Sequence, residues 1–248
     1  MAFFAGLTSR RAYMAHLKGN QLMEEGKIQE AEAKHQEAIA LYEESFKKGV
    51  KTPGTYLGYG VLQMRRREYE KARESFLQVE KLPNLTPQDK KQMRTDYAIC
   101  MWKMGKLDIA IEQMKEAQRA YGNDSLIYGS LGYMLIEKAV QTGDFTEAQA
   151  FNNEAMEYDD EDAVVLDNMG QLYLNMGDKE KAKEYFKKAH EQKPKQVDTL
   201  YYLAVLSKDE GNIEKAKEYL DSALNGNFSA LCTVTREQAQ QLRDELGD

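Results

Sequence analysis

Apolar residues recur at helical spacing along the chain, most clearly in residues 163–196, AVVLDNMGQLYLNMGDKEKAKEYFKKAHEQKPKQ. The small and bulky members of this pattern fall on one side of two successive segments: Leu166, Met169, Gly170 and Tyr173, then Ala182, Phe186 and Ala189. Such spacing is typical of amphipathic helices. Because Gly177 and Asp178 separate the two segments and Pro194 follows the second, the pattern predicts two short helices joined by a tight turn.

This pattern resembles the tetratricopeptide repeat, a 34-residue helix-turn-helix unit with a Gly on its first helix, an Ala and an aromatic residue on its second, and a Pro after them. Leu166 stands in the family's Trp position and Met169 in its Leu position. The same pattern divides the chain into units near 12–45, 53–86, 91–124, 125–162, 163–196 and 197–230. The resemblance implies an all-α fold, a right-handed superhelical solenoid of about six repeats with a capping helix over residues 235–247, and we expect a bacterial member of the family.

Three units depart from the pattern. In the first, His35 stands where an aromatic residue is expected, and in the second, Arg67 occupies the turn position where Gly is usual. A left-handed backbone at Arg67 would be costly for a residue with a side chain. In the fourth, Gly132 and Gly143 are 143 − 132 = 11 residues apart, against 177 − 170 = 7 in the clearest unit, which predicts a first helix about one turn longer.

The N-terminal residues 1–11, MAFFAGLTSRR, form an apolar and basic segment before the first unit. We interpret them as a frayed tail or as a cap that packs on the first repeat. The run is shorter than the roughly 20 residues of a membrane span, and its charges follow the apolar stretch, unlike those of a signal peptide. The alternative is that it ends a longer membrane segment that is missing from this chain.

Charge and cysteine content narrow the choice of partner and compartment. The 248 residues carry 34 Lys and Arg against 41 Asp and Glu, a net charge of −7, which argues against general binding to nucleic acid. Cys100 and Cys232 are far apart in apolar contexts, which fits a reducing compartment. We therefore expect a cytoplasmic protein, or one at the cytoplasmic face of a membrane if an N-terminal anchor is missing.

The sequence contains no recognisable catalytic or metal-binding motif. His16, His35 and His190 lie in different units, no paired Cys-x-x-Cys occurs, and Gly58-Tyr59-Gly60 lacks the third glycine of a dinucleotide loop. We expect no enzyme activity, no catalytic residue, no metal and no cofactor.

In the family, the first helices of the repeats line a concave groove that binds partners, and the resemblance places residues of this chain in that groove. We expect it to contain His16, Asn20, Met23, Leu57, Val61, Met64, Thr95, Ile99, Trp102, Leu126, Tyr133, Asp167, Gln171, Leu174, Tyr201 and Val205. The same face also carries Tyr13, Gln92, Val164, Asp198 and Lys208. Most of these side chains are apolar or aromatic, which favours a covered surface. The alternative is that some are ordinary core between repeats.

These observations predict a non-catalytic interaction scaffold that binds a peptide or helical segment with an apolar portion. Two alternatives are a peptide-sensing regulatory module and the soluble part of a membrane-anchored assembly factor. The two-carboxylate clamp of chaperone-binding tetratricopeptide domains is not expected, because Gln92 and Asp96 replace two of its cations. The sequence identifies neither the partner nor the oligomeric state.

Overall fold

The computed structural model describes the backbone of residues 2–247 and the side chains of residues 6–247. Within these residues the fold is all-α, as predicted, with thirteen helices and no strand. The helices are α1 (Ala2–Glu24), α2 (Ile28–Lys47), α3 (Pro53–Arg65), α4 (Tyr69–Glu80), α5 (Pro87–Lys103), α6 (Leu107–Tyr121), α7 (Ser125–Thr142), α8 (Thr146–Tyr158), α9 (Ala163–Asn175), α10 (Lys179–Gln192), α11 (Val197–Asp209), α12 (Ile213–Leu224) and α13 (Arg236–Glu245). Helices α1 to α12 pack as six consecutive pairs, and α13 packs on α12.

The chain forms two compact units, with α1 to α6 in the first and α7 to α13 in the second. The first unit ends at Tyr121 and the second begins at Gly122. Each contains three helix pairs, and the second also contains the last helix.

A glycine on the first helix faces a large side chain on the second in several pairs. A Cβ added at Gly170 would lie 2.6 Å from Cδ1 of Phe186, and one at Gly60 would lie 2.4 Å from Cε1 of Phe76. His35 takes the same place in the first pair, because a Cβ on Gly19 would lie 2.3 Å from its Cδ2. The imidazole is therefore the packing equivalent of the expected aromatic ring, and only a glycine lets it come so close.

The structure also accounts for the two other departures from the repeat pattern, at Arg67 and in the fourth unit. Arg67 has φ 62°, the left-handed conformation that Gly177 adopts with φ 89° in the clearest repeat. The turn geometry is therefore kept although the side chain disfavours it. Helix α7 has 18 residues against 13 for α9, so the longer glycine spacing does lengthen the first helix of the fourth pair.

Residues 2–11 form the beginning of α1, which runs without a break from Ala2 to Glu24. Its early turns are fixed by contacts: Lys48 Nζ donates to Thr8 Oγ1 at 3.0 Å, and the hydroxyls of Ser9 and Thr55 are 3.3 Å apart. Met1 lies outside the described residues. Among the described helices, none has the length and apolar character needed to cross a membrane.

Candidate functional site: the first-helix face

None of the sixteen residues predicted to line the groove is fully exposed. Nine are buried: His16, Met23, Leu57, Met64, Thr95, Ile99, Trp102, Asp167 and Gln171. Seven are half-buried: Asn20, Val61, Leu126, Tyr133, Leu174, Tyr201 and Val205. The predicted face is thus largely covered by the chain itself.

In the first unit this face is mostly packed as core. The ring of His16 meets those of His35 and Tyr42 edge-on, with centroids 5.8 Å and 6.4 Å away. Burial, reinforced by the positive charge of Arg65, lowers the pKa of both His16 and His35 to about 4, so both rings are neutral at physiological pH. Trp102 is only 9% exposed. This burial favours the alternative interpretation for the first unit, ordinary core between repeats.

In the second unit the same face is polar at its centre. The Asp167 carboxylate on α9 accepts hydrogen bonds from Thr199 Oγ1 at 2.6 Å and from Gln171 Nε2 at 2.6 Å. Burial and the neighbouring negative charge of Asp198 both raise the pKa of Asp167. The first helices of the last two pairs, α9 and α11, are therefore joined by side-chain hydrogen bonds. These polar side chains can also bond to a segment that lies across the two helices.

A segment of the chain itself lies over them. We call residues 226–234, between α12 and α13, the C-terminal loop. Asp198 Oδ1, on α11, accepts hydrogen bonds from Thr233 N at 2.8 Å, Thr233 Oγ1 at 2.9 Å and Val234 N at 2.9 Å. Gln171 Nε2 adds a longer contact to Thr233 Oγ1 at 3.4 Å.

The tyrosines beside this contact are half-buried. Burial raises the pKa of the Tyr133 hydroxyl, the nearby carboxylates of Glu137 and Asp198 raise it further, and a hydrogen bond with Thr233 opposes them. Tyr202 has a pKa raised mainly by burial. Both phenols are therefore neutral hydrogen-bonding groups, and the loop meets a face that is apolar at its edges and polar at its centre.

One helix pair of this chain matches a known family of repeats. A model of the tetratricopeptide repeat matches residues 163–196. The chain therefore contains a tetratricopeptide repeat. The matched residues are α9 and α10 with their turn, the pair in which Gly170 faces Phe186.

Solved structures agree on the fold. A tetratricopeptide repeat protein from Parabacteroides merdae is 14% identical and superposes with a TM-score of 0.71, over 94% of this chain and 85% of the other. A thermophilic one from Thermus thermophilus is 19% identical, with a TM-score of 0.55 over 76% and 98% of the two chains. A chain of the APC/C hetero-tetramer Cut9–Hcn1 is 15% identical, with a TM-score of 0.59 over 96% and 46%. No curated protein sequence matches this chain.

The repeat pattern did not predict that Thr233 and Val234 contact the first-helix face. The last predicted unit ends at residue 230, and the loop that follows has no periodic spacing. The nearest signal is Thr235, whose side chain caps α13 through Gln238 N at 3.2 Å and so marks where the loop ends. Among the side chains that the structure describes, no cluster of His, Cys, Asp or Glu is arranged to hold a metal ion.

Proposed function

We propose that this protein is a non-catalytic scaffold that binds a peptide segment of a partner protein on the first-helix face of its second unit, formed by α7, α9 and α11. The fold supports an interaction scaffold in general, since tetratricopeptide proteins bind protein or peptide partners. One structural neighbour of 15% identity is itself part of a hetero-tetramer.

The observation that carries the proposal is the hydrogen bonding of Asp198. Its Oδ1 accepts from two successive backbone N–H groups and one hydroxyl of a bend in the chain. Backbone N–H groups are present in nearly every peptide residue, so a carboxylate that satisfies two in a row recognises a bent backbone rather than one particular side chain. The face can therefore hold a peptide, since it already holds one in cis.

The surroundings of Asp198 indicate the composition of the partner segment. Leu126, Leu174, Tyr201 and Val205 are half-buried side chains on the same three helices. They offer apolar contact on either side of the polar centre, which suits a segment with hydrophobic residues near a hydroxyl-bearing one. The net charge of −7 disfavours nucleic acid as the partner.

Selection from a random peptide library displayed on phage tests this proposal with the full chain immobilised. Selected peptides are then titrated calorimetrically against wild type, Asp198→Ala and Lys187→Ala, an exposed position on the second helix α10. We expect peptides that bind wild type and Lys187→Ala equally and Asp198→Ala at least about tenfold more weakly, the loss of one strong charged hydrogen bond. Peptides that bind all three proteins equally would place binding on another face. A library with no enriched peptide, both on the full chain and on a chain whose C-terminal loop can no longer bind Asp198, would refute the proposal.

A further inference from the structure

The C-terminal loop reaches the first-helix face through hydrogen bonds rather than through a core of its own. Thr233 is half-buried, and its contacts with Asp198 and Gln171 are polar. Leu231, two residues earlier, is 48% exposed. Residues 229–233 therefore add little apolar area to the core. The loop is held on the face by the carboxylate of Asp198 and, at its end, by the side chain of Val234, which is 4% exposed.

The ends of the loop are fixed independently of Asp198. At one end, the guanidinium of Arg236 lies 4.6 Å from the ring centroid of Phe228, and Arg236 Nη2 donates to Gly226 O at 3.3 Å. At the other end, α13 packs its buried Ala239 and Leu242 with Ala216 and Leu220 of α12. The middle of the loop can leave the face without unfolding the helices that flank it.

On this basis we propose that the C-terminal loop is an autoinhibitory segment, which occupies in cis the site at Asp198 that a partner segment occupies in trans. This inference rests on the proposed function and adds its regulation. A partner segment must displace Thr233 and Val234 before it can reach the carboxylate.

The bound loop also specifies what the competing segment must contain. Its contacts require a Ser or Thr with a free backbone N–H, followed by a residue that also has an N–H and therefore is not Pro. The hydroxyl donates to the carboxylate and lies within reach of Gln171 Nε2. A segment without the hydroxyl would leave a buried acceptor with one bond fewer and would bind more weakly.

Competition in cis has a calculable consequence. A segment attached through a short flexible link has an effective concentration near the millimolar range. A free peptide at micromolar concentration competes poorly against such an attached segment. Release of the loop therefore raises the apparent affinity of the peptide, by a factor about equal to the ratio of molecules with the loop bound at Asp198 to molecules with the loop released.

The test uses a synthetic peptide of residues 226–235, GNFSALCTVT, with blocked ends and a fluorescent label, titrated by anisotropy against the full chain. In one variant the loop residues 227–232 are replaced by Gly and Ser at equal length and both Thr233 and Val234 by Pro, so that none of the three hydrogen-bond donors to Asp198 remains. In a second, Thr233→Pro removes one N–H and the hydroxyl together. Circular dichroism and thermal melting establish that each variant is folded. A peptide with Ala in place of its Thr at position 233 serves as the matched control.

We expect the loop-replaced chain to bind the peptide at least about tenfold more tightly than wild type, Thr233→Pro to fall between them, and the control peptide to bind more weakly. Adding Asp198→Ala to the loop-replaced chain should abolish the binding. Equal affinities of wild type and both loop variants would overturn the inhibition and leave the proposed function standing. If the loop-replaced chain ignores this peptide but binds library-selected peptides, the loop is no mimic of the partner and the inference falls alone. If neither kind of peptide binds any folded variant, the proposed function falls with it.

Discussion

Replacing Gly170 by alanine tests the close approach of helices on which the repeat depends. A Cβ at this position would lie 2.6 Å from both Cδ1 and Cε1 of Phe186 and 2.9 Å from its Cγ. The ring cannot easily move aside, because Phe186 is fully buried and stacks on Tyr202 with centroids 5.2 Å apart. The new methyl group must therefore push the two helices apart or force the ring out of its rotamer.

Two opposing effects set the magnitude of this change. Alanine favours a helix interior over glycine by about 1 kcal/mol. Overpacking a well-filled core costs about 1–3 kcal/mol, and the contact with Cγ at the base of the ring places this site toward the upper part of that range. We expect Gly170→Ala to lower the free energy of unfolding by about 1–2 kcal/mol.

Urea unfolding followed by far-ultraviolet circular dichroism measures this difference. Gly129→Ala in the same unit is the matched control, because its Cβ would meet only the side chain of Val164, with Cγ1 at 2.8 Å, and that side chain is 40% exposed rather than enclosed in the core. That variant should remain within about 1 kcal/mol of wild type.

A double-mutant cycle with Phe186→Leu isolates the contact itself. Leucine leaves room for a methyl group, so Gly170→Ala should become neutral or stabilising in that background. If Gly170→Ala lowers the stability by the same amount in the wild-type and the Phe186→Leu backgrounds, contact with the Phe186 ring is not the cause of the loss.

Two further predictions concern the interior of the first unit and the end of the second. Burial raises the pKa of Asp96 from 3.8 to about 7, so the folded state binds its proton more tightly and stability should fall as pH rises from about 4 to 7, by at most about 4 kcal/mol. Asp96→Asn should flatten this fall in urea titrations at each pH, whereas the exposed Asp160→Asn should not; equal pH profiles for wild type and Asp96→Asn would contradict the argument. Truncation after Val234 removes Ala239 and Leu242 from the core of the last pair, so we expect a lower melting temperature and aggregation by light scattering. A truncated chain that stays monodisperse and melts like the full one would show that α13 is no cap.

Local residue chemistry determines some helix starts through neighbours in sequence. The Thr86 hydroxyl accepts from Asp89 N at 3.1 Å, and Asp89 Oδ2 accepts from Thr86 N at 3.0 Å, beside a proline in the first helical position. These contacts span three residues, so the sequence alone is sufficient to identify them.

The burial of the groove residues could not be predicted in the same way. The family pattern assigns Trp102 and His16 to a face, and the sequence indicates that the face is apolar, but the rings that pack against His16, those of His35 and Tyr42, come from α2. The pKa values of about 4 for His16 and His35 likewise depend on burial and on Arg65, which lies many residues away in the chain.

What the sequence by itself determined is the repeat: its helical period, its glycine and aromatic positions and the turns at its glycines. These follow from sterics and hydrogen bonds within about one repeat length. Only the tertiary structure decided that α1 begins at Ala2 and that the first unit's face is packed. It also decided that Asp198 is occupied by Thr233 and Val234, 35 and 36 residues away. A contact over that distance, made by a loop without periodic pattern, depends on how α11, α12 and α13 pack together, and no local property of the residues encodes it.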